Sequence, residues 1–386
     1  MDDCLIVGGG VIGLSLAYEL AGHGLQVRVL ERGLPGQEAS WAGAGILPPG
    51  NSRTATDPYE ALSGLSFELH RAWAEQLRNE TGVDTGYRRC GAIYVARTPN
   101  DAELLQVAAA HLRSRDVTCD ELTTDILAKL EPALVGAPSK AADAYAVSGS
   151  IVNEIVAAWL VADECQLRNP WHLRALLLAC QKRGVEIESG VGVDDFELVG
   201  GRVKHALTSL GPRVAESFCL CGGPWTHSLL ARLGVQVAMR PVRGQIALLR
   251  TSPPLLSHIV NEGRRYLVPR PDGRVLVGST EEEVGFDKRT TTAGMASLLE
   301  FAIGLAPALA HAEVERGWAG LRPGTVDGLP YLGRVPNVQN VFVAAGHARA
   351  GLGLSPGTAV VMSELIRGQT PRVPLDLFGI PRGQAN

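Results

Sequence analysis

The stretch that most constrains this chain is the run from Leu5 to Glu31. Leu5-Ile6-Val7 is a short apolar run that reads as a buried strand. Gly8-Gly9-Gly10-Val11-Ile12-Gly13 follows at once, with the spacing G-x-G-x-x-G. Leu14 to His23 carries Leu14, Ala17, Tyr18 and Ala21 at helical spacing, and Gln26 to Leu30 is a second apolar run closed by Glu31. Strand, glycine turn, helix, strand and acid is the order that binds the pyrophosphate and ribose of a dinucleotide.

The chemistry asks for these residue types. Gly8 permits the tight turn, Gly10 lets backbone approach a pyrophosphate, and Gly13 lets the helix lie close on the sheet. Phosphates sit at the helix N-terminus, where unpaired N–H groups and the helix dipole favour anions. Glu31 is placed to accept hydrogen bonds from ribose hydroxyls. The motif alone does not separate NAD from FAD.

A chain of 386 residues is too long for one ordinary core and predicts two domains. With 20% charged residues, a net charge of −4 and no basic run, nothing points to nucleic acid or a membrane surface. No apolar run approaches the length of a membrane span, and no signal-peptide pattern precedes the glycine motif. The seven cysteines are scattered. Cys219-x-Cys221 lacks the spacing of a zinc or redox pair and lies in an apolar run, so it reads as buried structural thiols in a reducing cytoplasm.

Further along, Tyr59 to Glu80, Asp101 to Leu112, Thr123 to Leu130 and Thr291 to Leu305 read as helices. Asn169-Pro170 opens a helix that stops at Gly184. Tyr87 to Ala96, Val185 to Glu188, Val203 to Thr208 and Val214 to Cys221 read as strands. The segment 240–280 reads as antiparallel sheet, with a turn at Pro271-Asp272-Gly273. Residues 145–163 resist a reading; Ile155 to Val161, with Trp159, fits a strand or a short buried helix. Val341 to Ala345, a glycine-rich loop from Gly346 to Pro356 and a helix from Thr358 to Ile366 repeat the opening order of strand, glycines and helix.

Several stretches, in order, resemble the FAD-dependent D-amino acid oxidase superfamily, and within it the glycine oxidases of thiamine biosynthesis. They are the opening motif, Ala39-Ser40-Trp41-Ala42-Gly43-Ala44-Gly45-Ile46, Arg265-Tyr266-Leu267-Val268-Pro269-Arg270, Gly278-Ser279-Thr280, Gly285-Phe286-Asp287, Trp318 to Thr325, and Gly346-His347-Ala348-Arg349-Ala350-Gly351. The resemblance covers nearly the whole chain. It implies an α/β fold: a doubly wound, Rossmann-like FAD-binding domain, discontinuous over 1–82, 150–235 and 325–386, and an α+β substrate domain with an antiparallel sheet over 83–149 and 236–324. It implies oxidation of a small amino acid to its imine, with oxygen as electron acceptor, hydrogen peroxide as product and the imine hydrolysed by water.

Residue roles follow from the same resemblance. Arg322 matches an arginine that clamps the substrate carboxylate, a task suited to a planar guanidinium. Tyr266 matches a tyrosine whose hydroxyl meets that carboxylate, and Arg349 a residue at the substrate or the loop beside it. Gly8, Gly10, Val11, Ile12, Gly13, Glu31, Arg32, Ala39, Ser40, Ala44, Gly45, Ile46, Val193 and the loop His347, Ala348, Arg349, Ala350, Gly351, Leu352, Gly353 match FAD-lining positions. No side chain is assigned as acid or base, and His347 is read as part of the loop's backbone contact with flavin. Related sarcosine oxidases carry flavin on a late cysteine; the last cysteine here is Cys221, which implies non-covalent FAD. Three places depart from the pattern: residues 151–163, which do not match the family sequence there; Glu281, near where some glycine oxidases have an apolar residue facing the substrate; and Pro48, for a small residue near the entrance. A dehydrogenase that passes electrons to a carrier, and a non-catalytic dinucleotide-binding module, remain the competing readings. A homo-oligomer is left open.

Overall fold

The glycine turn leaves the strand Asp2–Val7 in the middle of a six-stranded sheet, in a computed structural model that describes residues 1–135 and 154–380. The sheet runs Tyr331–Arg334, Val341–Ala345, Ala215–Leu220, Asp2–Val7, Val27–Glu31, Glu186–Ser189. All pairings are parallel except the edge pair of Tyr331–Arg334 with Val341–Ala345. Alternate residues face opposite layers. Cys4, Ile6 and Val29 pack under the helix Val11–Gly22, while Leu5, Val7 and Leu30 meet Phe196, Val203 and Phe218 on the other side. A parallel sheet covered on both faces explains why these strands read as unbroken apolar runs.

The first helix begins at Val11, earlier than the apolar spacing places it, because Gly13 is a helical residue lying on the strand exit. A Cβ there would stand 2.0 Å from the Gly8 carbonyl oxygen. The terminal helix, Gly351–Ile366, likewise starts before the expected Thr358 and contains Pro356. The carbonyl of Leu352, which a proline cannot serve, accepts instead from the Ser355 hydroxyl at 2.9 Å. A hydroxyl on the long helix Pro58–Thr81 supports the same turn: Ser66 Oγ donates to Leu354 O and accepts from Gly357 N.

The second sheet has eight strands, in the order Glu313–Thr325, Met239–Arg250, Arg274–Gly278, Arg265–Pro269, Ile259–Glu262, Ala92–Ala96, Ala157–Val161, Cys119–Glu121. The helix Thr292–Leu305 covers one face through Leu298, Phe301, Ala302 and Leu305. The ambiguous run Ile155 to Val161 resolves as a strand at Ala157–Val161, with Trp159 buried under Arg113. It pairs with Ala92–Ala96 and Cys119–Glu121, so these residues sit in the eight-stranded sheet, which is antiparallel except where Ile259–Glu262 meets Ala92–Ala96 in parallel, and not with the dinucleotide-binding segments where the sequence puts them. The rest of the unread stretch, through residue 153, and the domain limit drawn at 149–150 lie outside the described residues.

Between the sheets, Cys165–Gln166 pairs with both Ile46–Leu47 and Arg88–Arg89. Buried Arg270 fixes this junction, donating to Gln166 Oε1, to Leu167 O at 3.0 Å and to Ala44 O at 2.7 Å. All seven cysteines are free thiols, and the Cys219 and Cys221 sulfurs lie 3.8 Å apart in the core, as structural thiols should. Among the described residues, no helix is long and apolar enough to cross a membrane.

Candidate active site

One cavity of about 820 Å³ runs from the glycine turn across the junction to the eight-stranded sheet. At its first end the turn is built for close approach. Gly8 has φ +115°, and a Cβ there would stand 2.4 Å from the Cys221 carbonyl oxygen. The helix cap Gly10 offers no side-chain acceptor, and Val11 N–H is met by Ser40 Oγ at 2.9 Å. Glu31 is tied down by two backbone amides, Gly9 N–H on Oε2 and Gly33 N–H on Oε1, each at 2.8 Å. Its carboxylate therefore holds the turn as well as facing the cavity. Arg32 stacks its guanidinium 3.4 Å from the centre of the Trp225 ring, and Val193 closes the same end.

In the middle, Ala39, Ser40, Ala44, Gly45 and Ile46 form one wall, and the loop from His347 to Gly353 another. Small residues bring backbone to the surface: at Gly45, with φ +79°, a Cβ would lie 2.0 Å from the Leu167 carbonyl oxygen. His347 is buried, bonds Thr358 Oγ1 at 3.1 Å, and burial pushes its pKa down to about 3. It is a neutral brace for the loop, unsuited to proton transfer at neutral pH.

At the far end Arg322 and Tyr266 meet. They come from different strands, Glu313–Thr325 and Arg265–Pro269. Two glycines clear the space: a Cβ on Gly244 would stand 2.3 Å from both terminal nitrogens of Arg322, and one on Gly278 would stand 2.4 Å from the Tyr266 ring. Arg322 donates to Thr280 O at 3.2 Å and to Ser279 Oγ. Burial pulls its pKa below the ordinary value, and Tyr266 and Glu281 act against that. A desolvated, oriented guanidinium of this kind is a strong carboxylate binder.

Arg349 lies at the mouth. It donates to Arg264 O at 2.9 Å and faces Glu281 at 3.5 Å, while Arg264 pairs with the same carboxylate at 2.7 Å. Burial works to raise the Glu281 pKa, but Arg264, Arg349 and Arg322 bring it below the ordinary carboxylate range. Of the site residues named from the sequence, all but Gly13 line the cavity, and Gly13 serves helix packing; of the two single-residue departures, Pro48 lines the cavity and Glu281 does not. Sequence reasoning missed Tyr94, Glu164 and Asn261, which also line it. They are far apart in the chain, and no spacing pattern links them.

The fold and the cavity define a dinucleotide-dependent α/β protein with a cationic far end to its pocket. The sequence profile of the DAO family, FAD dependent oxidoreductases, matches residues 3–365. The chain is 34% identical to the glycine oxidase of Pseudomonas aeruginosa over 95% of each chain. It is 33% identical to that of Geobacillus kaustophilus, over 98% of this chain and 97% of the relative. A crystal structure of glycine oxidase from Geobacillus kaustophilus superposes with a TM-score of 0.90, at 32% identity and 99% coverage of both chains. The bifunctional protein ThiO/ThiG of Synechocystis is 34% identical over 95% of this chain and 52% of its own length. The chain belongs to the DAO family: it is an FAD-dependent oxidoreductase.

Proposed function

We propose that this protein oxidises glycine and other small amino acids, sarcosine and D-alanine among them, to the 2-oxo acid, the free amine (ammonia, or methylamine from sarcosine) and hydrogen peroxide, and that the imine first formed from glycine supplies thiamine thiazole synthesis. The observation that carries the reading is the pair of half-buried Arg322 and buried Tyr266 at the end of a cavity whose other end is a dinucleotide turn. Similarity to glycine oxidases and to a ThiO/ThiG protein supports the choice of substrate and pathway. Seven free thiols and a chain with no membrane-crossing helix among the described residues suit a cytoplasmic enzyme.

The cavity fits FAD. Gly8, Gly10, Val11 and Ile12 would hold the pyrophosphate, and Glu31, Arg32 and Val193 the adenosine. Ala39 to Ile46 and His347 to Gly353 would border the flavin ring. The cofactor, held without a covalent bond, supplies the two-electron oxidant. The chain supplies position. Arg322 grips the substrate carboxylate through parallel N–H bonds, and the Tyr266 hydroxyl donates to the same group. Ser279 and Thr280 hold the guanidinium at a fixed angle, so the α-carbon is presented in one orientation.

The test is anaerobic addition of glycine, sarcosine and D-alanine to the purified yellow protein. Glycine is expected to bleach the flavin, and air to restore the colour with release of peroxide. Flavin left oxidised by all three overturns the substrate assignment. Re-oxidation by a dye but not by air would make the protein a dehydrogenase.

A further inference from the structure

A second polar cluster lies in the same cavity, and the clamp does not use it. Glu164 is completely buried, and its Oε2 accepts from the Tyr94 hydroxyl at 2.7 Å. Its other oxygen, Oε1, has no hydrogen-bond partner, and neither has Nδ2 of buried Asn261. The Asn261 amide is close enough to favour the charge on Glu164 without completing a hydrogen bond to it. Burial nevertheless pushes the Glu164 pKa up to about 7. A buried acceptor and a buried donor left open each cost stability. All three residues face the cavity.

Strand register places the cluster at the substrate end. Asn261 stands directly opposite Tyr266 on one side and Tyr94 on the other. Residues opposite one another across a sheet share a face. Tyr94, Asn261 and Tyr266 therefore form one row on the cavity wall, with the carboxylate clamp at its end. A second placement is independent of the first. The pairing of Ile46 with Gln166 and Leu47 with Cys165 runs on toward Pro48 and Glu164, and both of those line the cavity. Glycine has no atoms beyond its α-carbon to reach this cluster.

We propose that Glu164 and Asn261 form a side-chain subsite that selects amino acids bearing a hydroxyl or carboxamide over those bearing a bare alkyl group. Either group donates to Glu164 Oε1 and accepts from Asn261 Nδ2, which satisfies both open atoms at once. Tyr94 is a positioning residue that holds the carboxyl by its other oxygen. The inference rests on the amino-acid oxidase reading and extends its substrate range; it adds no step to the chemistry.

The experiment compares near-isosteric pairs on the FAD-loaded enzyme: D-serine with D-2-aminobutyrate, and D-asparagine with D-leucine. The expected result is a kcat/KM ratio of at least about tenfold in favour of the polar member of at least one pair, since a site built to bond a polar group penalises its absence. Glu164→Leu should bring that ratio to about one, and Glu164→Gln, which keeps an acceptor, should retain most of it. Asn261→Leu tests the other arm and guards against a Glu164 variant that fails to fold. Ratios near one in the unaltered enzyme, or a ratio that survives Glu164→Leu and Asn261→Leu, overturn the proposal. A binding readout separates this from the parent reading. 3-Hydroxypropionate should raise the melting temperature more than propionate, and the difference should vanish in Glu164→Leu. If no amino acid reduces the flavin but that difference stands, the oxidase reading falls and the subsite remains.

Discussion

The terminal nitrogens of Arg322 occupy the volume that a side chain at Gly244 would fill, 2.3 Å from an added Cβ. Gly244 and Arg322 lie on adjacent antiparallel strands, where Gly244 pairs with Gly320 and Arg322 with Val242. A methyl at 244 must push the guanidinium away from Ser279 and Thr280. Gly244→Ala is therefore expected to leave the protein yellow while raising KM for glycine by about 10–100-fold, close to the effect of Arg322→Ala, because a misaligned bidentate pair loses most of its several kcal/mol. Steady-state kinetics with flavin content measured in parallel checks it. A KM unchanged in both variants would remove Arg322 from the carboxylate site.

Arg349 should behave differently. It is partly exposed and already engaged by Glu281 and the Arg264 carbonyl. Exposed ion pairs contribute about 0–1 kcal/mol. Arg349→Ala should therefore raise KM by no more than about fivefold, and Glu281→Gln, which releases both mouth arginines, should lower KM for anionic substrates at low salt. The Glu281 effect should shrink at 0.5 M salt as charges at the mouth are screened. A loss in Arg349→Ala as large as in Arg322→Ala would place Arg349 in the clamp itself.

Glu31 carries two tasks through one carboxylate. Its oxygens accept from Gly9 and Gly33 backbone amides at 2.8 Å. Glu31→Ala removes the proposed ribose contact and loosens the glycine turn together. FAD affinity is expected to fall by about 10–100-fold, from one or two charge-assisted hydrogen bonds. Flavin fluorescence in the filtrate after ultrafiltration measures it. Glu31→Gln should recover only part of the loss, because a Gln carbonyl can accept from one of the amides but its NH2 cannot.

Local features were legible in the sequence where one short segment contains the whole signal. Gly8 to Glu31 is such a segment, and its strand, turn and helix are present in the structure, with the helix starting early at Val11. The run at Ile155 to Val161 was illegible because a short buried strand and a short buried helix share one apolar pattern; pairing with Ala92–Ala96 decides it. The helix at Gly351 was hidden by glycines and Pro356, and Ser66 and Ser355 supply the missing support from elsewhere. Glu164 and Asn261 were illegible for a similar reason. A carboxylate beside Cys165 and an amide in a strand look ordinary until two sheets bring them to one wall.

Acid stability offers a test of the core beneath the cavity. His70 and His172 are buried, their rings 6.5 Å apart. Burial lowers the His70 pKa to about 4; burial, with the charge of His70 adding to it, lowers that of His172 to about 3. In the unfolded chain both titrate at about 6.5. Between that value and the folded ones, the unfolded state binds more protons, so stability rises with pH there. Stability from this source is complete above about pH 6.5. It is lost as pH falls toward 4, by about 1.4 kcal/mol for each ring and each pH step of one. Both ring nitrogens of His172 lack a hydrogen-bond partner, so an apolar ring can replace it without orphaning a neighbour. His172→Phe should therefore lose less melting temperature between pH 7 and pH 5 than the unaltered protein, by several degrees. The scans should be run with FAD in excess, so that cofactor loss does not set the midpoint. Equal losses in the two proteins would show that His172 is not held neutral by the fold.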